Sequence, residues 1–163
     1  MVAIVVVASD AWVKVMARVA ACPTTQDVRE ALRTVYSVPP DCGSTDFWGF
    51  AQLSPLVRDG GLLGIGAGLL DGSAGGIWAI GVLAIAAVVS ILVLRWRWRS
   101  PGDALALGAL WGAAIVESGP RLLSEGTGTA ELSIGGASTG LGDLALLWAV
   151  LWLGWRVIAE SRA

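Results

Sequence analysis

The side chains able to do chemistry in this chain are few, and most are acids. Asp10 and Lys14 stand four apart in an otherwise apolar opening stretch, so on a helix they share a face and can pair. Glu117 closes an Ala- and Gly-rich apolar run, shortly before Pro120 and Arg121. Asp143 stands at the mouth of the last apolar run, in Gly140-Leu141-Gly142-Asp143-Leu144. Asp59, in Arg58-Asp59-Gly60-Gly61, precedes a short apolar segment. Two carboxylates held close together can share one proton, one acting as base toward a water while the other acts as acid. Taken singly, each of these acids also fits a helix end resting among lipid headgroups. There is no His, which excludes His triads, His-ligated metals and His proton shuttles. Two Cys alone do not build a zinc site, so neither a metal nor a cofactor is expected.

The elements that must carry these residues are membrane helices. Hydrophobic residues make up 55% of the 163 and charged residues 15%, against about a quarter charged in a soluble domain. The deficit falls in long uncharged runs. The composition predicts an all-α membrane protein of one domain, 1–163, with four transmembrane helices near 2–21, 77–94, 104–119 and 140–158. Ile77 to Leu94 is the clearest span: 18 residues without a charge, about 27 Å long as a helix. In the first span only nine residues precede Asp10, whereas a full crossing takes about 20. Asp10 therefore falls mid-membrane or toward the far side of a tilted helix, unless the natural start lies upstream. A signal peptide fits less well, because charges interrupt the apolar core and no early basic region leads into it.

The segments 22–76 and 120–139 are predicted to form a small extracytoplasmic subdomain. Asp27 to Val38 has helical spacing. Cys22 and Cys42 form a disulfide if that side is oxidising, and otherwise remain two free thiols. Leu62 to Leu70 is too short to cross and suits an interfacial helix. Asp103 is placed to cap the third span, which is expected to stop at Pro120. A loop or a small pair of strands follows, over 121–139. Arg95-Trp96-Arg97-Trp98-Arg99 reads as a cytoplasmic interface anchor, and Arg156 and Arg162 join it on that side. Both termini are then cytoplasmic, and Asp10, Lys14, Asp59, Glu117 and Asp143 tend toward the outer face. The partner implied is the lipid bilayer. Without a basic stripe beyond that short tract, nucleic acid is excluded.

In order and spacing these residues resemble the lipoprotein signal peptidases, or signal peptidase II. These are four-span inner-membrane aspartic endopeptidases that remove signal peptides from lipid-modified prolipoproteins. The family's first-helix pattern D-x-x-x-K is met by Asp10 and Lys14. Its N-x-G pattern is similar to Asp59-Gly60-Gly61, with Asp for Asn. The third-helix pattern aligns without a gap to Ala104-Leu105-Ala106-Leu107-Gly108, Gly112-Ala113-Ala114 and Glu117-Ser118-Gly119-Pro120-Arg121. The last pattern is similar to Thr139-Gly140-Leu141-Gly142-Asp143. The resemblance implies a monomer in a bacterial inner membrane, acting on a lipid-modified prolipoprotein signal peptide. It implies that Asp143 is a catalytic acid, and that Asp10, Lys14, Asp59 and Arg121 have structural or substrate-contacting roles. It also exposes departures. The family's first catalytic Asp falls on Pro120, which has no proton to give or take. The Asn of its final motif falls on Gly140. Its loop Asp-Phe is at best Glu131-Leu132. Glu117 lies one helical turn before Pro120 and is the first candidate to replace the missing acid, ahead of Glu125 and Glu131. The implied alternative is a catalytically degenerate relative that binds lipopeptide or serves as a non-enzymatic membrane protein.

Overall fold

The computed structural model describes residues 1–21, 45–47, 51–58, 72–95, 100–123, 128–134 and 137–161. In chain order its elements are α1 (Val2–Ala21), β1 (Thr45–Phe47), β2 (Ala51–Arg58), α2 (Gly72–Arg95), α3 (Pro101–Leu123), β3 (Gly128–Ile134), β4 (Ala137–Thr139) and α4 (Leu141–Ser161). The helical reading of 27–38, the interfacial helix of 62–70, Cys22, Cys42 and Asp59 lie outside the described residues.

The central helix is α3, which packs against α1, α2 and α4. Its small residues set how close the others come. A Cβ on Gly108 would stand 2.6 Å from Cβ of Val2, and one on Gly112 would stand 2.7 Å from Cβ of Val6. The two contacts advance by four residues on both helices, so α1 and α3 run parallel. The close approach of small residues is a common way for helices to associate in lipid. Ser118 bonds to Ala79 and Trp111 to Ser90, so α2 runs antiparallel to α3. Asp103 meets Arg156 while Gly142 meets Val116, so α4 is antiparallel as well. The bundle is therefore up-down-up-down. The start of α1 and the end of α4 lie at one end, with Arg95.

The bundle is apolar outside and small or polar inside. Its core is rich in alanine, with Ala86, Ala109, Leu110, Ala114 and Ala149 in one cluster and Val93, Ala106 and Leu153 in a second. Ile77, Ile80, Ile85, Val88 and Leu94 of α2 are exposed, as are Leu147, Val150, Leu151 and Trp155 of α4. A water-soluble surface rarely carries a contiguous apolar patch beyond a few hundred Å². An apolar outer face is stable against lipid, which identifies the chain as membrane-associated. Among the described residues, Ala74–Arg95 and Leu141–Ser161 are long and apolar enough to cross a membrane.

Local chemistry moves several boundaries. The helix α2 begins at Gly72 rather than Ile77, because a helix can continue past its apolar run once outside the hydrocarbon. The cap of α3 is Ser100, not Asp103. The Asp103 N–H donates to Ser100 Oγ at 3.1 Å and the Ser100 N–H donates to Asp103 Oδ2 at 3.1 Å. This is a reciprocal capping box with Pro101 at the first helical position. Nor does α3 stop at Pro120. It runs through that residue to Leu123, so the ring falls in the last turn, where few backbone bonds remain to be lost.

At the other end the strands form one antiparallel sheet in the order β1-β2-β3-β4. The β3–β4 pair is the strand alternative expected within 121–139; the β1–β2 hairpin was not legible from sequence. Pro55 interrupts β2, which is an inner strand. The register shifts between Leu53 and Leu56, so the proline sits in an irregularity where no ladder donor is needed. Through β2 and β3 the sheet rests on α1, and through β3 also on α3.

Candidate active site

Beneath the sheet, the bundle gathers its buried polar side chains. Asp10, Lys14, Ser118, Arg121, Thr139 and Asp143 are all buried, and Asp103 is the buried acid of the opposite end. The parallel packing of α1 on α3 explains the gathering. Val2 faces Gly108 and Val6 faces Gly112. The same stagger, carried two turns further, brings Asp10 to the height of Val116 and Lys14 to that of Pro120. Asp10 is thus level with the acid end of α3. Its carboxylate lies 2.6 Å from Lys14 Nζ, with both side chains at most 2% exposed. A buried pair of this kind fixes the two groups in place, and removing either partner leaves a costly uncompensated charge.

On α3, Ser118 Oγ donates to the Ala79 carbonyl at 3.1 Å and ties the site to α2. Arg121, one turn beyond Glu117, is 1% exposed. Pro120 is fully buried between them. Glu117 is half-buried and turns toward α4. Its Oε1 lies 3.7 Å from where a Cβ on Gly142 would stand. That glycine also accommodates Val116, whose Cγ1 would be 2.9 Å from the same point. A side chain at residue 142 would therefore displace Val116 and crowd Glu117.

Asp143 follows directly. It is fully buried, and its Oδ2 accepts the Gly140 N–H at 3.2 Å. The carboxylate so occupies the third position of α4 and reaches back to the residue before the helix, half of a capping box. An anion here is also favoured by the helix dipole. The preceding residue, Thr139, is buried and closes β4. A strand end and a helix start therefore fix Asp143 from both sides.

The structure brings Glu117 to the first turn of α4, which also carries Asp143, and it places Asp10, Lys14 and Arg121 at the same end. Asp59 lies outside the described residues, as does Glu125; Glu131 is on β3. Sequence reasoning missed Ser118 and Thr139, which look like ordinary small polar residues until their burial is seen. It also missed the polar cluster of the other end. There Asp103 accepts from Arg156 Nε at 3.1 Å and from Trp152 Nε1 at 3.2 Å, joining the start of α3 to the end of α4. The available signals were Ser100-x-x-Asp103 before an apolar run and the spacing of Trp152 and Arg156 on one helix face.

No protein-family model matches the chain, and neither does any curated protein. Among solved structures it is similar to a bacterial membrane enzyme determined by the in meso method. The TM-score is 0.58 at 13% identity, covering 95% of this chain and 90% of the other. A second bacterial membrane enzyme determined by the same method gives a TM-score of 0.49 at 12% identity, over 93% of each chain. At this identity the first likeness is one of fold alone: this chain shares the overall architecture of that protein.

Proposed function

We propose that this chain is a four-span membrane endopeptidase of the aspartic type, akin to the lipoprotein signal peptidases. Its substrate is the signal peptide of a lipid-modified prolipoprotein. The observation that carries the reading is the meeting of Glu117 with the first turn of α4, one residue from Asp143, at the same end of the bundle as the buried Asp10–Lys14 pair. In this reading all four helices cross a bacterial inner membrane as one domain, 1–163. The termini are cytoplasmic, the sheet is outside, and the protein acts as a monomer.

Asp143, held by the Gly140 N–H, takes a proton from a water whose oxygen attacks the scissile carbonyl carbon. Glu117, entering protonated, gives its proton to the carbonyl oxygen. As the tetrahedral intermediate collapses, one of its hydroxyl protons returns to Glu117, the C–N bond breaks, and the proton held by Asp143 passes to the leaving amine. Arg121 and the Asp10–Lys14 pair position the helices and the peptide. Asp59 is assigned to contact substrate.

A second reading is a non-cleaving relative that keeps the fold and binds the lipidated peptide. The specific observation in its favour is Pro120, fully buried where the resemblance expects an acid. The two readings separate in a cleavage assay on a lipid-modified precursor. The first predicts turnover by wild type, at least 100-fold less in Glu117→Gln, in keeping with the tight interdependence of such units. It also predicts that Pro120→Asp retains or raises turnover. Peptide binding by wild type with no cleaved product would establish the second reading instead.

A further inference from the structure

On the outer surface of the bundle, α2 and α4 flank an apolar groove of about 560 Å³ whose floor is Leu110 of α3. Leu110 stands two residues from both Gly108 and Gly112, the residues that carry α1. Two residues turn a helix by about 200°, so the groove lies on the face of α3 turned away from α1. Its walls are regularly spaced. On α2, Trp78, Val82, Ile85, Val89 and Leu92 step by four and three in alternation. On α4, Leu146, Val150, Leu153 and Val157 do the same. Alternating steps of three and four make the heptad seam that receives the side chains of another helix. A hydrocarbon tail has no period for such a seam to match. Gly154 also lines the groove, and a Cβ there would meet nothing within 4 Å.

The wall on α4 and the floor on α3 both lead to the candidate acids. Three residues back from Leu146, the α4 stripe reaches Asp143. Two turns on from Leu110, the same face of α3 reaches Glu117. A helix lying in the groove therefore delivers its chain to both carboxylates. From Trp78 to Leu92 the seam runs for fourteen residues, about 21 Å of helix. The apolar run of a signal peptide has about 7–15 residues, at most about 22 Å as a helix. We propose that the α2–α4 groove seats the apolar helix of the substrate's signal peptide, with the cleavage site at its acid end. The identity of this occupant rests on the peptidase reading. A second copy of this chain has no need of a seam that ends at the acids.

The test uses the full chain in detergent micelles with a purified lipid-modified prolipoprotein as probe. A photoreactive benzophenone side chain replaces Val150 or Ile85, both exposed in the groove, or Trp12, exposed on α1 as the control. After illumination, mass spectrometry identifies what has been joined and where. The precursor is expected to join at Val150 and Ile85 at least ten-fold more than at Trp12, through the apolar run of its signal peptide. Gly154→Leu fills the groove at a position with open space around it, and is expected to lower that yield about ten-fold by overpacking the seat. Equal joining at Trp12, adducts only with detergent or a second copy of this chain, or an unchanged yield in Gly154→Leu overturns the proposal. Cleavage of the precursor without a groove adduct removes the seat and leaves the peptidase reading. A groove adduct without cleavage keeps the seat and favours the non-cleaving reading, and neither adduct nor cleavage removes both.

Discussion

Single residues carry most of what distinguishes this bundle from an inert one. The Asp10–Lys14 spacing was legible because i,i+4 pairing is a local property of a helix. The burial of the pair was not, because it depends on which face of α1 meets α3. That burial makes a sharp prediction. Lys14→Met should destabilise the fold by about 3–5 kcal/mol, since it strands a buried carboxylate, and Asp10→Asn added to it should recover a large part. Thermal unfolding in detergent reads both. At the far end, Asp103 supports the Ser100 cap while accepting from Arg156 and Trp152. Asp103→Ala should cost about 2–3 kcal/mol through the lost cap and the lost charged bonds. Asp103→Asn, which keeps an oxygen for the Ser100 N–H, should cost less. A catalytic role for Asp143 is what the motif resemblance implies. Its anchoring by Gly140 N–H followed only from the backbone path between β4 and α4.

At the scale of elements, apolar runs marked the four helices among the described residues, and their ends were the least legible parts. Hydropathy measures what lipid requires, whereas helix ends are set by caps and prolines, as Ser100 and Pro120 show. The strands were harder still. A proline inside an inner strand removes a ladder donor, and the register shift beside Pro55 is what lets β2 hold one. Close packing of α1 on α3 depends on two glycines. Gly112→Ala would bring a methyl to 2.7 Å from Cβ of Val6 and 3.1 Å from the Ala3 carbonyl oxygen. Overpacking of this kind should cost about 1–3 kcal/mol, and shortening the facing side chain by Val6→Ala should restore part of it. Because the same contact sets the height of Asp10 against α3, Gly112→Ala should also lower any turnover more than its stability loss explains.

For the whole molecule, the parallel and antiparallel contacts put both ends of the bundle chain beside Arg95, and the carboxylates of the candidate site at the opposite end under a sheet. Arginine placement in the sequence pointed to the same polarity. Under the proposed topology, with cytoplasmic termini, a reporter that works only in the cytoplasm should be active when fused after α4. It should be inactive when inserted between α3 and β3. The reverse pattern would invert the topology. The central proposal is proteolysis at the sheet end. Its most direct test is incubation of the purified protein and its Asp143→Asn variant with a lipid-modified prolipoprotein in micelles, with products identified by mass. Wild type is expected to release a signal peptide, and Asp143→Asn at least 100-fold less of it. Equal product from the two proteins would contradict it.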